Sequence, residues 1–184
     1  YRKFPSSNIY PNVTGTWVHV AIVHNSGQVK YYINGSLADT VDGVDDPAGY
    51  EDMNDAAVGL RIGTYSNTQA GFGGKLSNFI IFKQDASETA LNAQEISELY
   101  NAGRTYDYSR HSRFSDVVGW WKLGGPLDNS TIIKDLSGKN HHGTVNNADS
   151  FVNNSGLHEE LLQAKEETQC LWWADRAEGD REFD

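Results

Sequence analysis

The stretch TWVHVAIVHNSGQVKYYINGSL, residues 16–37, reads with a period of two. Val18, Val20 and Ile22 point one way, while Trp17, His19, Ala21 and Val23 point the other, as side chains do along a pleated strand. HNSGQ turns the chain, and the return strand sets Val29, Tyr31 and Ile33 on one face. Asn34-Gly35 then supplies the two residues that best tolerate positive φ in a tight hairpin turn, so SLADTV follows directly as a third strand. These pieces form an antiparallel meander.

Further along, residues 42–55, DGVDDPAGYEDMND, are polar and rich in Gly and Asp, and read as a loop. AAVGLRIGTY and GKLSNFIIFK read as two more strands, joined by the Gly-rich SNTQAGFGG. No helix follows those glycines to present its N-terminus, so they suit turns rather than phosphate binding. Residues 85–103 read as a helix with an apolar stripe of Ala90, Leu91, Ile96, Leu99 and Tyr100; Ser87 or Thr89 would cap its start and Gly103 its end. RTYDYSRHSRFS reads as a polar connector, and DVVGWWKL as a strand, with a second strand around TVNNADSFV. The last stretch is helix-compatible at Leu157, Leu161, Leu162, Ala164, Cys170 and Leu171, and Glu159, Glu160, Glu166 and Glu167 make the face between them acidic. A helix is expected near 157–170, with a charged, partly disordered tail after Trp173.

Composition narrows the function classes. The 184 residues carry 15 Lys and Arg against 25 Asp and Glu, a net charge of −10, and no basic run that could track a phosphate backbone. Nucleic acid is excluded as a partner, and membrane insertion is not expected, because no apolar run approaches the roughly 20 residues needed to span a bilayer. The chain begins at Tyr1 and its one methionine is Met53, so sequence upstream is expected. The single Cys170 excludes an internal disulfide framework and leaves a buried thiol or an intermolecular partner. Asn-x-Ser/Thr sequons occur at Asn12, Asn34, Asn129 and Asn153.

Three blocks together resemble the laminin-G-like, concanavalin A-like jelly-roll family: TWVHVAIVHNSGQVKYYINGSL, then VGLRIGTY, then FGGKLSNFIIFKQDASETALNAQEISELYNAG. In that family the last block closes the domain. A second match, WWKLGG followed by Asp135, Ser137, Gly138, His142 and Gly143, resembles the opening of such a domain. Asp135 suits a turn closed onto its own backbone, and Gly138 and Gly143 suit positive φ. The resemblance implies an all-β, two-sheet antiparallel jelly-roll sandwich with a short helix after the last main strand, to which a C-terminal helix is appended. Residues 1–103 form the later part of one such domain, 104–115 a connector, 116–156 strands of N-terminal type, and 157–184 an acidic helical tail. Three readings of the N-terminal-type strands stay open: they complete the first sandwich by circular permutation, they pair with a neighbouring subunit's sheet edge, or they are a truncated repeat.

Asp45, Asp46 and Asp52 offer the oxygen ligands that Ca²⁺ prefers, making calcium the one candidate cofactor, although the loop lacks EF-hand spacing. The six histidines offer no ligand spacing, and adjacent His141 and His142 would point to opposite faces of a strand. Glu178, Asp180 and Glu182 resemble a glucanase motif, but no apolar strand surrounds them to raise a carboxyl pKa. Cys170 lacks a neighbouring base, so catalysis is not expected. Tyr50, Tyr65, Phe72 and Trp121 are candidate platforms for a sugar ring, with Trp120 facing the core and Trp121 facing outward. Cys170, Leu171, Trp172 and Trp173 form an aromatic patch suited to an interface. The expected role is a non-catalytic structural module at a cell or virion surface, or otherwise extracellular, partnered by copies of itself or neighbouring subunits. A carbohydrate-binding lectin module is the alternative.

Overall fold

The computed structural model describes residues 9–11, 14–25, 28–42, 59–63, 72–83, 89–146 and 173–175. The opening stretch folds as its alternation dictates. β1 (Val18–Asn25) pairs antiparallel with β2 (Gln28–Ile33), which pairs with β3 (Ser36–Asp42). Between β2 and β3 the chain reverses at Asn34 and Gly35, whose φ values of 48° and 77° are the pair of positive angles that this two-residue turn requires. A Cβ on Gly35 would lie 2.9 Å from the Tyr100 side chain, so close approach as well as φ selects glycine there.

GKLSNFIIFK, expected as one strand, is two. β4 (Lys75–Ser77) and β5 (Phe79–Phe82) belong to different sheets, separated by Asn78 at φ 58°. A single left-handed residue breaks the pleat and redirects the chain. Of AAVGLRIGTY, residues 59–63 are described and contain no strand. β5 pairs with β6 (Val117–Trp121) of the same chain, in register from Phe79–Trp121 to Phe82–Val117 with a bulge at Val118. β7 (Ile132–Ile133) and β8 (Gly143–Thr144) make a small outer ladder.

The tail departs from expectation. Residues 157–170, where a helix was expected, lie outside the described residues. Trp173–Asp175, at the start of the tail expected to be partly disordered, form β9, the strand between β1 and β4 in a five-stranded sheet ordered β3-β2-β1-β9-β4. Val18 stands opposite Ala174 on one side, and Leu76 stands opposite it on the other.

The one α-helix among the described residues, α1 (Ala93–Asn101), starts later than expected. Its cap is Asn92, not Ser87 or Thr89. The Asn92 side chain accepts from the N–H groups of Gln94 and Glu95 while the Glu95 carboxylate accepts from the Asn92 N–H, a reciprocal capping box. Gly103, at φ 84°, ends the helix as expected.

The connector is not merely polar. It forms two 3₁₀ turns, Tyr108–Arg110 and Phe114–Asp116, and sends Tyr108 fully into the core. There Tyr108 meets Tyr32 of β2, Ile96 and Leu99 of α1, and Val117 and Trp120 of β6, with Ala21, Val23, Ile80, Phe82 and Phe114 packed around them. Arg113 closes the region, bonding Asp116 at 2.8 Å and reaching Glu95 of α1 at 3.7 Å. One core therefore draws on the strand meander, the helix, the connector and β6.

Candidate functional site

Two regions carry more specific chemistry than the core: one fastens a turn onto β6, and the other sets a late strand between early ones. The first lies outside β6. Asp135 is 7% exposed and all its acceptor sites face donors: Oδ1 accepts from the N–H groups of Trp120 at 3.0 Å and Ser137 at 2.9 Å, and Oδ2 from Ser137 Oγ at 2.8 Å and the His141 N–H at 2.9 Å. Burial alone would push its carboxyl pKa up. The bonds from Trp120, Ser137 and His141 outweigh that and hold it below the ordinary value. The turn expected from Asp135, Ser137 and Gly138 thus also clamps β6, and the Leu136 N–H adds a 2.7 Å bond to the Trp120 carbonyl.

A second buried carboxylate, Asp128, repeats the device. Its Oδ2 accepts from the N–H groups of Gly124 and Gly125, both at 2.9 Å, and its Oδ1 from Lys134. These bonds hold the chain where Leu123 and Gly124 take positive φ. The His pair is absorbed in the same turn: His141 Nδ1 lies 2.9 Å from the Val118 carbonyl, and His142 Nδ1 accepts from the Asp135 N–H. With their oxygens bonded to backbone donors, both Asp side chains serve structure.

Trp121 corrects an expectation. It was assigned an outward face for stacking on a sugar, yet it is 6% exposed. Its ring folds across Gly119, where a Cβ would sit 2.7 Å from Cζ2 and Cζ3, and lies against Phe79 with ring centroids 6.0 Å apart. Its indole N–H donates to the His141 carbonyl at 2.8 Å. The turn covers the outer face of β6, which a strand-only reading leaves open. Phe72 remains an exposed aromatic at 45%, and its N–H donates to the Gly63 carbonyl at 2.6 Å.

The second region is the seam filled by β9. Trp173 stands opposite His19 of β1 and opposite Ser77 of β4. His19 is fully buried, its ring 5.7 Å from that of Tyr100, and burial lowers its pKa to about 4. The backbone around it is tied down, since the His19 N–H donates to Asn34 Oδ1 and the Asn34 N–H to the His19 carbonyl, both at 2.9 Å. Sequence reasoning placed Trp173 at an interface but did not see the strand, because three residues are too few for a period to show.

Several expected residues, Asp45, Asp46, Tyr50, Asp52, Tyr65, Cys170, Leu171 and Trp172, lie outside the described residues, as do Glu178, Asp180 and Glu182. No group of three or more His, Cys, Asp or Glu side chains suited to a metal occurs among the described residues. Sequence reasoning also missed Asp128 and Tyr108. The first could be read from the adjacent Gly124-Gly125, which need an acceptor for their N–H groups. The second carried no signal in a segment otherwise polar.

A family model described as the concanavalin A-like lectin/glucanases superfamily, Laminin_G_3, matches residues 4–97, just over half of the chain. No curated protein and no solved structure matches.

Proposed function

Because the chain belongs to the concanavalin A-like lectin/glucanase superfamily, we propose that it is a non-catalytic structural or assembly module of an extracellular or virion-surface fibre, filament or adhesin, built as a two-sheet jelly-roll. In this reading residues 1–103 supply the later strands, 104–115 connect, 116–156 complete the sandwich, and the 157–184 tail, with its C-terminal helix, engages neighbouring copies. The supporting observation is the position of β9: a segment close to the C-terminus sits in the middle of the large sheet, bonded on both sides. A sheet finished by a late segment offers two bonded edges, β1 and β4, wherever that segment is withdrawn. Trp173 of β9, with Cys170, Leu171 and Trp172 just before it in the sequence, is the candidate assembly contact in this reading.

The test compares the full chain with Ala174→Pro by light scattering after size exclusion. Proline at 174 removes an N–H from the middle of a central strand. The full chain should form a defined oligomer, and the variant should shift to smaller species while keeping its far-UV β signal. A full chain that stays monomeric at every accessible concentration counts against the reading.

The exposure of Phe72 favours a second reading, a lectin with Tyr50, Tyr65 and Phe72 as stacking platforms on its rim loops and calcium at Asp45, Asp46 and Asp52. A glycan array read with and without chelator separates the two. Binding lost on chelation supports the calcium-dependent lectin, and silence in both conditions removes it.

A further inference from the structure

Two of the Asn-x-Ser/Thr triplets fall wholly among the described residues, Asn34-Gly35-Ser36 and Asn129-Ser130-Thr131, and the fold treats them in opposite ways. Asn129, Ser130 and Thr131 are all exposed, in the turn that leads into β7. The Asn129 side chain closes this turn through its oxygen: Oδ1 accepts from the Thr131 N–H at 2.9 Å, the Thr131 hydroxyl at 2.8 Å and the Ile132 N–H at 2.9 Å. The Asn129 N–H in turn donates to the Ile132 carbonyl at 2.9 Å. Among the described residues Nδ2 of Asn129 has no acceptor, so the nitrogen end of the amide is left to solvent. Asn34 is half-buried at positive φ, its Oδ1 accepts from the N–H of buried His19, and Gly35 beside it packs against Tyr100. The Asn129 turn also carries two apolar side chains in water, Leu127 at 63% exposure and Ile132 at 38%.

We propose that Asn129 is an acceptor for an N-linked glycan and that Asn34 is not. The inference rests on the extracellular part of the reading above, since the transfer belongs to a secretory route. The reaction needs a hydroxyl two residues beyond the Asn and within reach of its amide, and Thr131 meets that condition. In the transfer, Nδ2 attacks the anomeric carbon of a lipid-linked oligosaccharide diphosphate. A carbon–nitrogen bond forms, the carbon–oxygen bond to the diphosphate breaks with its electron pair, and an Nδ2 proton passes to a base of the transferase. The bonds that Asn129 makes reach at most three residues along the chain, so a short stretch can form them while the chain is still growing. Asn34 instead commits its oxygen to a residue 15 positions away, and its turn is pressed onto α1. A sugar on Asn129 also gives Leu127 and Ile132 a polar cover.

The test produces the full chain in a eukaryotic cell behind a cleavable secretion leader, with one Asn-Gly-Thr triplet appended at its C-terminus as an internal control. The secreted protein is treated with peptide N-glycosidase, which turns a glycan-bearing Asn into aspartate, and its peptides are mapped by mass spectrometry. Conversion is expected at Asn129 and at the appended triplet, and not at Asn34. Thr131→Ala should abolish it at Asn129, and Thr131→Ser, which restores the hydroxyl, should keep it. Both variants leave Asn129 and its backbone donors in place, and the map of the unsubstituted chain is decisive even where a variant is not secreted. An unmodified Asn129 beside a modified control triplet, equal conversion of Asn34, or conversion at Asn129 that survives Thr131→Ala would overturn the site. The control triplet shows that the chain met the transferase, so failure at Asn129 strikes this site alone and leaves the assembly reading to its own light-scattering test.

Discussion

At the scale of single residues, His19 and Asp135 are both buried titratable groups held away from their ordinary pKa values, and they divide the acid range between them. The His19 pKa in the folded chain, about 4, is below its ordinary 6.5, so the unfolded chain binds the extra proton first as pH falls. Stability is therefore full above about pH 6.5 and declines as pH drops toward 4, by about 3 kcal/mol at most. His111, lowered chiefly by burial as well, adds to the same slope, so His19→Leu should flatten the decline between pH 6.5 and 4 without erasing it. Urea denaturation repeated across that range measures the slope, and a variant with the wild-type slope refutes the assignment. Asp135 acts lower down. Its depressed pKa means that its contribution is present above the ordinary carboxylate value, near pH 4, and is lost as pH falls through the folded value. Asp135→Asn replaces one accepting oxygen with an NH₂ group facing backbone N–H groups and should cost about 2–4 kcal/mol at neutral pH. The same denaturation series checks it, since the variant should also lose part of the acid sensitivity below pH 4.

At the scale of elements, the helix shows what local sequence decides. Asn92-Ala-Gln-Glu95 is a capping box readable from the chain, and the structure uses it in preference to Ser87 or Thr89. Asn92→Ala removes the acceptor for two N–H groups and should lower stability by about 1 kcal/mol with an unchanged urea m-value, because the helix still packs through Ile96 and Leu99. The β1–β2–β3 meander was equally legible, since its alternation and its Asn34-Gly35 turn are local signals. What was hidden depends on distant partners. The single strand read across 74–83 breaks because Asn78 bonds to segments near 104, 120 and 122 that no period announces. The outward face assigned to Trp121 closes because a turn some 20 residues on folds over it. β9 is the same lesson at the chain's end: three residues with no pattern of their own become a central strand because β1 and β4 each present an edge.

At the scale of the whole molecule, the question is whether the late strands are a separable unit. The packing argues against it. Tyr108 and Trp120, 5.4 Å apart ring to ring, share one core with Tyr32, Ile96 and Leu99, and Leu136 of the Asp135 turn packs on that same core. Removing residues 116–146 would strip one wall from the cluster and leave β5 without its partner β6. Such a core should open as a unit, since the apolar burial that stabilises either half requires the other. Equilibrium unfolding in urea should therefore give one transition, with the fluorescence of a variant that keeps only the buried Trp120 and Trp121 of the five tryptophans, and far-UV circular dichroism, which reads the meander and helix, coincident in midpoint. If the indoles reached water at a lower urea concentration than the strands melted, β6 and its covering turn would be a detachable unit docked on a core that stands without them. Coincident midpoints would instead make the Asp135 clamp a fastening of the whole fold, and a substitution there would lower both signals together.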